Sequence, residues 1–246
     1  MSLLTLPFKL PLLPLRGVIK LGELIQDQAE QELHDPAAVR RQLEAVEEAE
    51  RAGKYAAAHA HGGPGLRLCV EEGVSTIEHA GLATAEDIAL MKERGAWLIC
   101  TFSIFMHERG IEGGDGRHAA IMDKLRAARR VMTERFPAHL ASGVRFASGT
   151  DGVHGCMPFE LECLVQFGVS PRDALLSGTR WGAEACRVDG QVGTVAAGKR
   201  ADLRAVEGDP LADIRALRQV RTVMKDGEVQ DVMSNTHGKN WGRNGR

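Results

Sequence analysis

The chain has 246 residues, room for one large domain or two small ones. Apolar residues make up 43% and charged residues 26%, which is ordinary for a soluble globular protein. The formal net charge of -2 leaves no global positive field to attract nucleic acid.

The first stretch, "MSLLTLPFKLPLLPLRGVIKL", is apolar but interrupted by Pro7, Pro11 and Pro14. It lacks a basic start and a small-residue cleavage site, so it does not read as a signal peptide. The prolines and Lys9 also exclude a spanning helix, so no membrane partner is expected. Residues 1–16 read as an atypical leader, and a strand is expected near Lys20.

Asp35 and Pro36 form a helix start, an N-cap followed by proline at the first position. The helix runs through "AAVRRQLEAVEEAERAG" and stops at Gly53. A strand over 54–59 ends in "YAAAHAHGG", where His59 and His61 share a side because strand side chains alternate. A short helix over 65–72, a strand "VSTIEH" and a capping box from Thr84 to Asp87 follow. Next come the helix "AEDIALMKERG", a strand "AWLICTF", a long helix over 118–134 and a strand "VRFAS" before Gly149-Thr150-Asp151. Two more helices are expected over 158–167 and 171–186. Lys124, Arg126, Arg129 and Arg130 fall in the amphipathic long helix and read as a solvated face. His107 and His118 flank the loop "FSIFMHERGIEGGDG" and read as exposed.

Alternating strands and helices give a parallel sheet with right-handed crossovers. The near-continuous apolar strands suit a sheet covered on both faces. From Gly193 the pattern changes to short alternating strands, and Asp226-Gly227 signals a type I′ hairpin. The last residues, "SNTHGKNWGRNGR", are polar and read as a disordered tail. Five cysteines occur, none in a CxxC pair, which suits buried thiols in a reducing cytoplasm.

Chemistry-bearing residues cluster at strand ends: His59, His61, His79 and Asp151. In α/β folds that edge is where sites form. His59 and His79 lie one βα unit apart, but Asp151 is remote, so only a closed or strongly curved sheet unites them. Zinc takes histidine nitrogen and aspartate oxygen, and a catalytic site leaves a position for water whose pKa falls towards ~7. A carboxylate can then carry that proton to a leaving group. The residue types also allow a plainer reading, with His79 a hydrogen-bonded interior histidine and Asp151 an N-cap.

The words "AAAHAHGG", "GVSTIEHAG", "ASGTDGVHG", "VGTVAAGKRADLRAVEGDPL" and "ALRQVRTVMKDGEV" occur in that order. Together they resemble the amidohydrolase superfamily, in particular the branch of imidazolonepropionases and metal-dependent Xaa-Pro dipeptidases. The resemblance implies a (β/α) TIM-type barrel with a small C-terminal β-structure belonging to a composite β-sandwich. It also implies hydrolysis of C–N bonds in small molecules with one or two divalent metals, zinc first among them. By that match His59 and His79 are metal ligands, and Asp151 is a ligand and proton shuttle. Lys20 in "GVIKL" matches the lysine that is carbamylated and bridges two metals, and it also reads as a surface lysine. His61 is a ligand, a substrate contact or structural, and His154 a substrate contact or a loop histidine.

The family's strand-one His-x-His has no counterpart, because no histidine precedes Lys20. Only about five of the eight barrel strands are accounted for. The expected layout is a partial barrel over 17–190, C-terminal strands over 191–232 and a tail over 233–246. One metal ion or none is then expected. Open parallel edges predict a homo-oligomer or edge-pairing association. Two functions remain: a metal-dependent amide, cyclic-amide or dipeptide hydrolase, and a catalytically inactive chain serving assembly.

Overall fold

The computed structural model describes residues 36–115 and 118–231. Contacts divide the chain into residues 1–45 and residues 46–246. Helix α1 (Pro36–Arg51) starts at the predicted proline, and its first residues are what is described of the smaller unit. The Lys20 strand, the leader and the tail over 233–246 lie outside the described residues.

The larger unit is built on four short parallel strands: β1 (Ala57–Ala60), β2 (Thr76–His79), β3 (Trp97–Cys100) and β4 (Phe146–Ser148), in sheet order β1-β2-β3-β4. The register pairs His59 with Glu78 and Ala60 with His79, then Leu98 with Phe146 and Cys100 with Ser148. Helices α2 (Gly63–Glu71) and α3 (Ala85–Arg94) connect β1 to β2 and β2 to β3. Between β3 and β4 lie α4 (Phe102–Met106), α5 (Ile111–Asp115) and α6 (Ala119–Ala141). Strands alternate with crossover helices, as the periodicity predicts, and the strands are shorter than their apolar runs.

One sheet face makes the core. Ile77, Leu98 and Cys100 have no exposed surface and pack with Leu66, Val70, Ile88, Met91, Met132 and Phe136. Each such side chain is worth roughly 1.5–3 kcal/mol of transfer free energy. The intervening residues His59, Glu78 and Ile99 face the other way and keep solvent exposure. Among the described residues β1 and β4 are the edges, and the barrel is not closed.

Three expectations change. The long helix continues past Glu134 to Ala141, through Pro137. An interior proline removes a hydrogen bond, typically at a cost of ~3 kcal/mol. Met132, Phe136, His139 and Leu140 prolong the buried stripe and offset it. The helix expected over 171–186 is two, α8 (Pro171–Ser177) and α9 (Arg180–Ala185). The break falls at Gly178, where a Cβ would stand 3.3 Å from a Leu161 methyl of α7 (Met157–Gln166).

Third, the stretch from Gly193 to Asp202 is turn rather than strand. Lys199 folds it back, donating to Thr194 Oγ1 at 2.7 Å, Val192 O at 3.3 Å and Asp189 O. The β-structure proper is an antiparallel sheet of β5 (Leu203–Val206), β6 (Val220–Lys225) and β7 (Glu228–Gln230). Asp226 and Gly227 have φ 51° and 87°, the paired left-handed turn predicted for the β6–β7 hairpin. A 3-10 helix (Ile214–Arg218) buries Ile214 in the main core, and Arg218 forks onto Glu162 of α7 at 2.5 and 2.7 Å.

Candidate active site

The three predicted imidazoles meet at the carboxyl end of the sheet. His79 Nε2 lies 2.8 Å from His59 Nδ1. The His61 ring stacks on His79 at 5.2 Å and stands edge-on to His59 at 4.9 Å. Phe105 closes one side, 5.7 Å from His61 and 6.3 Å from His79.

Two local devices bring them together. His79 and Ala80 both have left-handed backbone, φ 78° and 47°, so the chain turns sharply as β2 ends. Such residues cost roughly 1–2 kcal/mol each outside glycine, and strain of this kind gathers at functional sites. The β1 end is set by Gly62, whose missing Cβ would lie 2.9 Å from Leu82 C and O. That close approach lets Leu82 N donate to His61 O at 2.8 Å.

Behind the rings, His79 Nδ1 meets Thr101 Oγ1 at 2.6 Å. Burial pushes the His79 pKa down to about 4, with His59 adding to it and Asp151 opposing. The His61 pKa is also lowered, by burial first and His59 second, against Asp151. Both rings are therefore neutral near pH 7, the form that offers a lone pair. Glu78, the register partner of His59, has its carboxyl raised by burial, with Thr76 Oγ1 donating at 2.9 Å and opposing that rise.

Asp151 is exposed just beyond β4, in left-handed backbone with φ 45°. Its charge acts on His61, His79 and Glu78 across the carboxyl end of the sheet. His154 is exposed in the following loop, its N–H on Gly152 O, and no contact joins it to the three rings. Lys20 lies outside the described residues. His118 is exposed, and His107 is half-buried against Phe159 at 4.8 Å.

His79 Nε2 and His59 Nδ1 share one hydrogen bond, so one of these nitrogens carries its proton; neutral imidazoles, one of them anchored from behind by a hydroxyl, are the donor type a divalent metal takes. Among the described residues no group of three or more His, Cys, Asp or Glu converges on one point. Sequence reasoning missed Thr101, Phe105, Glu78 and Glu160. Thr101 and Phe105 carry no spacing signal, since they reach the site by following β3. Glu160 sits in an apolar run, "MPFELECL", and that anomaly was readable.

A sheet of parallel strands with polar residues at its carboxyl end, backed by crossover helices, defines an α/β scaffold of the TIM-barrel type that is not closed among the described residues. The sequence model of the Amidohydrolase family matches residues 32–236, and the chain belongs to that family. Ochratoxinase of Aspergillus niger is 29% identical over 184 residues, covering 72% of this chain and 38% of its own length. The crystal structure of a Xaa-Pro dipeptidase with methionine bound in its active site superposes with TM-score 0.71 at 30% identity. It covers 77% of this chain and 48% of its own. The crystal structure of A. niger ochratoxinase gives TM-score 0.68 at 27% identity, over 78% and 45% of the two chains. This chain thus spans less than half the length of these relatives.

Proposed function

We propose that the chain carries the His59–His79 portion of a divalent-metal site, zinc being the first candidate, and hydrolyses C–N bonds of small amides, cyclic amides or dipeptides. The observation that carries this reading is the meeting of three imidazoles, with His79 Nε2 2.8 Å from His59 Nδ1 and the His61 ring against both. Similarity to a Xaa-Pro dipeptidase and an ochratoxinase supports a hydrolase of this class. When bound, a divalent ion supplies Lewis-acid polarisation and acidifies water.

The chain's own residues do the rest. His59 and His79 would hold such an ion through neutral nitrogens. Thr101 fixes the His79 ring from behind. Asp151 takes a proton at a carboxylate oxygen and delivers it to the leaving nitrogen. Phe105 excludes water from one side of the imidazoles. His61 and His154 contact the substrate. A cytoplasmic location belongs to the same proposal, supported by five free thiols. Among the described residues no helix is long and apolar enough to cross a membrane.

The test is metal content by elemental mass spectrometry, wild type against His59→Ala/His79→Ala. About one zinc, manganese or iron per chain, lost in the double variant, supports the reading and justifies a hydrolase screen. No metal in wild type after refolding with divalent ions overturns it. A second reading, an assembly chain without turnover, is favoured by the two sheet edges at β1 and β4. It predicts oligomers that mask those edges.

A further inference from the structure

Helix α4 starts directly behind the histidines, and its N-terminus is capped unusually. Thr101 is the N-cap residue, a position where a hydroxyl normally accepts from the N–H groups of the first turn. Here the hydroxyl makes no cap bond; Oγ1 is turned to His79 Nδ1 instead, at 2.6 Å. The cap comes instead from another helix. Glu160 of α7 has no exposed surface, and its two carboxylate oxygens accept from Phe102 N at 2.7 Å and Ser103 N at 2.5 Å.

We infer that Glu160 is a positioning residue for His79: by capping α4 from outside, it frees the Thr101 hydroxyl to fix the His79 ring with Nε2 aimed at His59. Deepening the metal-site reading in this way rests on His79 being a metal-binding imidazole. The physical basis is competition. The first amides of a helix need an acceptor, and an unpaired buried donor costs about 1–3 kcal/mol. If Glu160 withdraws, the hydroxyl of the N-cap residue Thr101 is the helix's own replacement cap, and turning to the amides takes it from His79. A side chain on α7, far from the histidines in sequence, thereby sets which nitrogen of His79 carries its proton.

Burying a carboxylate is expensive, and burial raises the Glu160 pKa to about 7. Asp87 shows the cheaper local solution at the preceding helix, α3. There the capping box is closed by Thr84 itself, and the carboxylate also receives Arg67. At α4 the threonine is spent on the imidazole, and the carboxylate is imported.

The test is imidazole 15N NMR of the metal-free full chain, comparing wild type with Glu160→Gln and Thr101→Val. Glu160→Gln keeps the size and one acceptor oxygen but loses the second. Wild type is expected to hold His79 as a single Nδ1–H tautomer. In Glu160→Gln that signal becomes a tautomer mixture, and exchange of the Nδ1 proton speeds up at least tenfold. Thr101→Val gives the same change, and the double variant adds nothing further, as two steps of one relay require. A folded Glu160→Gln with an unchanged His79 signal overturns the inference. If that variant does not fold, Glu160→Asp, which keeps the charge but retracts it by one methylene, is read by the same criterion. In parallel, zinc is titrated into wild type and Glu160→Gln, with a loss of at least about tenfold in affinity expected in the variant. A wild type that binds no zinc sinks the metal reading, while the tautomer comparison still decides the role of Glu160.

Discussion

The β1 end of the site hangs on Asp87, and Asp87→Ala is the sharpest test of how the His61 loop is held. This carboxylate has no exposed surface and accepts from Arg67 Nε at 2.6 Å, Thr84 N at 2.9 Å and Gly63 N at 3.4 Å. Truncation orphans an N-cap amide, worth about 1 kcal/mol, and leaves a buried amide dry, about 1–3 kcal/mol. Because the Arg67 side chain is half-exposed, the ion pair adds less than about 1 kcal/mol. The expected loss is roughly 3 kcal/mol, or about 6–12 °C in Tm for a chain of this size. Burial pushes the Asp87 pKa up, but the bonds from Thr84, Arg67 and Gly63 outweigh it, so the folded pKa lies below its ordinary value. A depressed carboxyl stabilises above its unfolded pKa near ~4 and stops doing so as pH falls through the folded one. The gap between wild type and variant should therefore close in acid. Urea unfolding at pH 7 and below pH 4 measures both. A loss under about 1 kcal/mol at pH 7, or a gap independent of pH, refutes the reasoning.

Three further outcomes follow from the site. Gly62→Ala drives a Cβ into Leu82 backbone at 2.9 Å, which should cost about 1–3 kcal/mol; an unchanged Tm would contradict the packing described. His79, with its pKa lowered to about 4, should resist protonation in the fold. Its contribution is present above the unfolded value near ~6.5 and is lost as pH falls towards 4, by roughly 3 kcal/mol. Glu160, raised to about 7, works in the opposite direction, so the His79 effect is read as wild type minus His79→Gln with chelator present. A difference flat between pH 7 and 4 would refute it. Asp151→Asn should abolish turnover on any substrate found, with stability changed by under about 0.5 kcal/mol. The residue is exposed, and asparagine tolerates the same left-handed backbone. Retained turnover would remove Asp151 from the mechanism.

Local structure was legible from neighbouring residues. Periodicity marked β1 to β4 and their helices, the Thr84–Asp87 capping box formed as written, and Asp226-Gly227 made its hairpin. The sequence also placed His59, His61, His79 and Asp151 at strand ends, because alternation and turn chemistry are properties of neighbouring residues. Contacts between distant segments were decided by the tertiary structure alone. Pro137 sits inside a helix whose buried stripe carries on to His139 and Leu140, and at Gly178, between α8 and α9, the missing Cβ leaves room for Leu161. Thr101 and Glu160 lie on different helices' ends and carry no mutual signal along the chain. Their roles exist only where packing brings a buried carboxylate, two amides and one imidazole within hydrogen-bond reach.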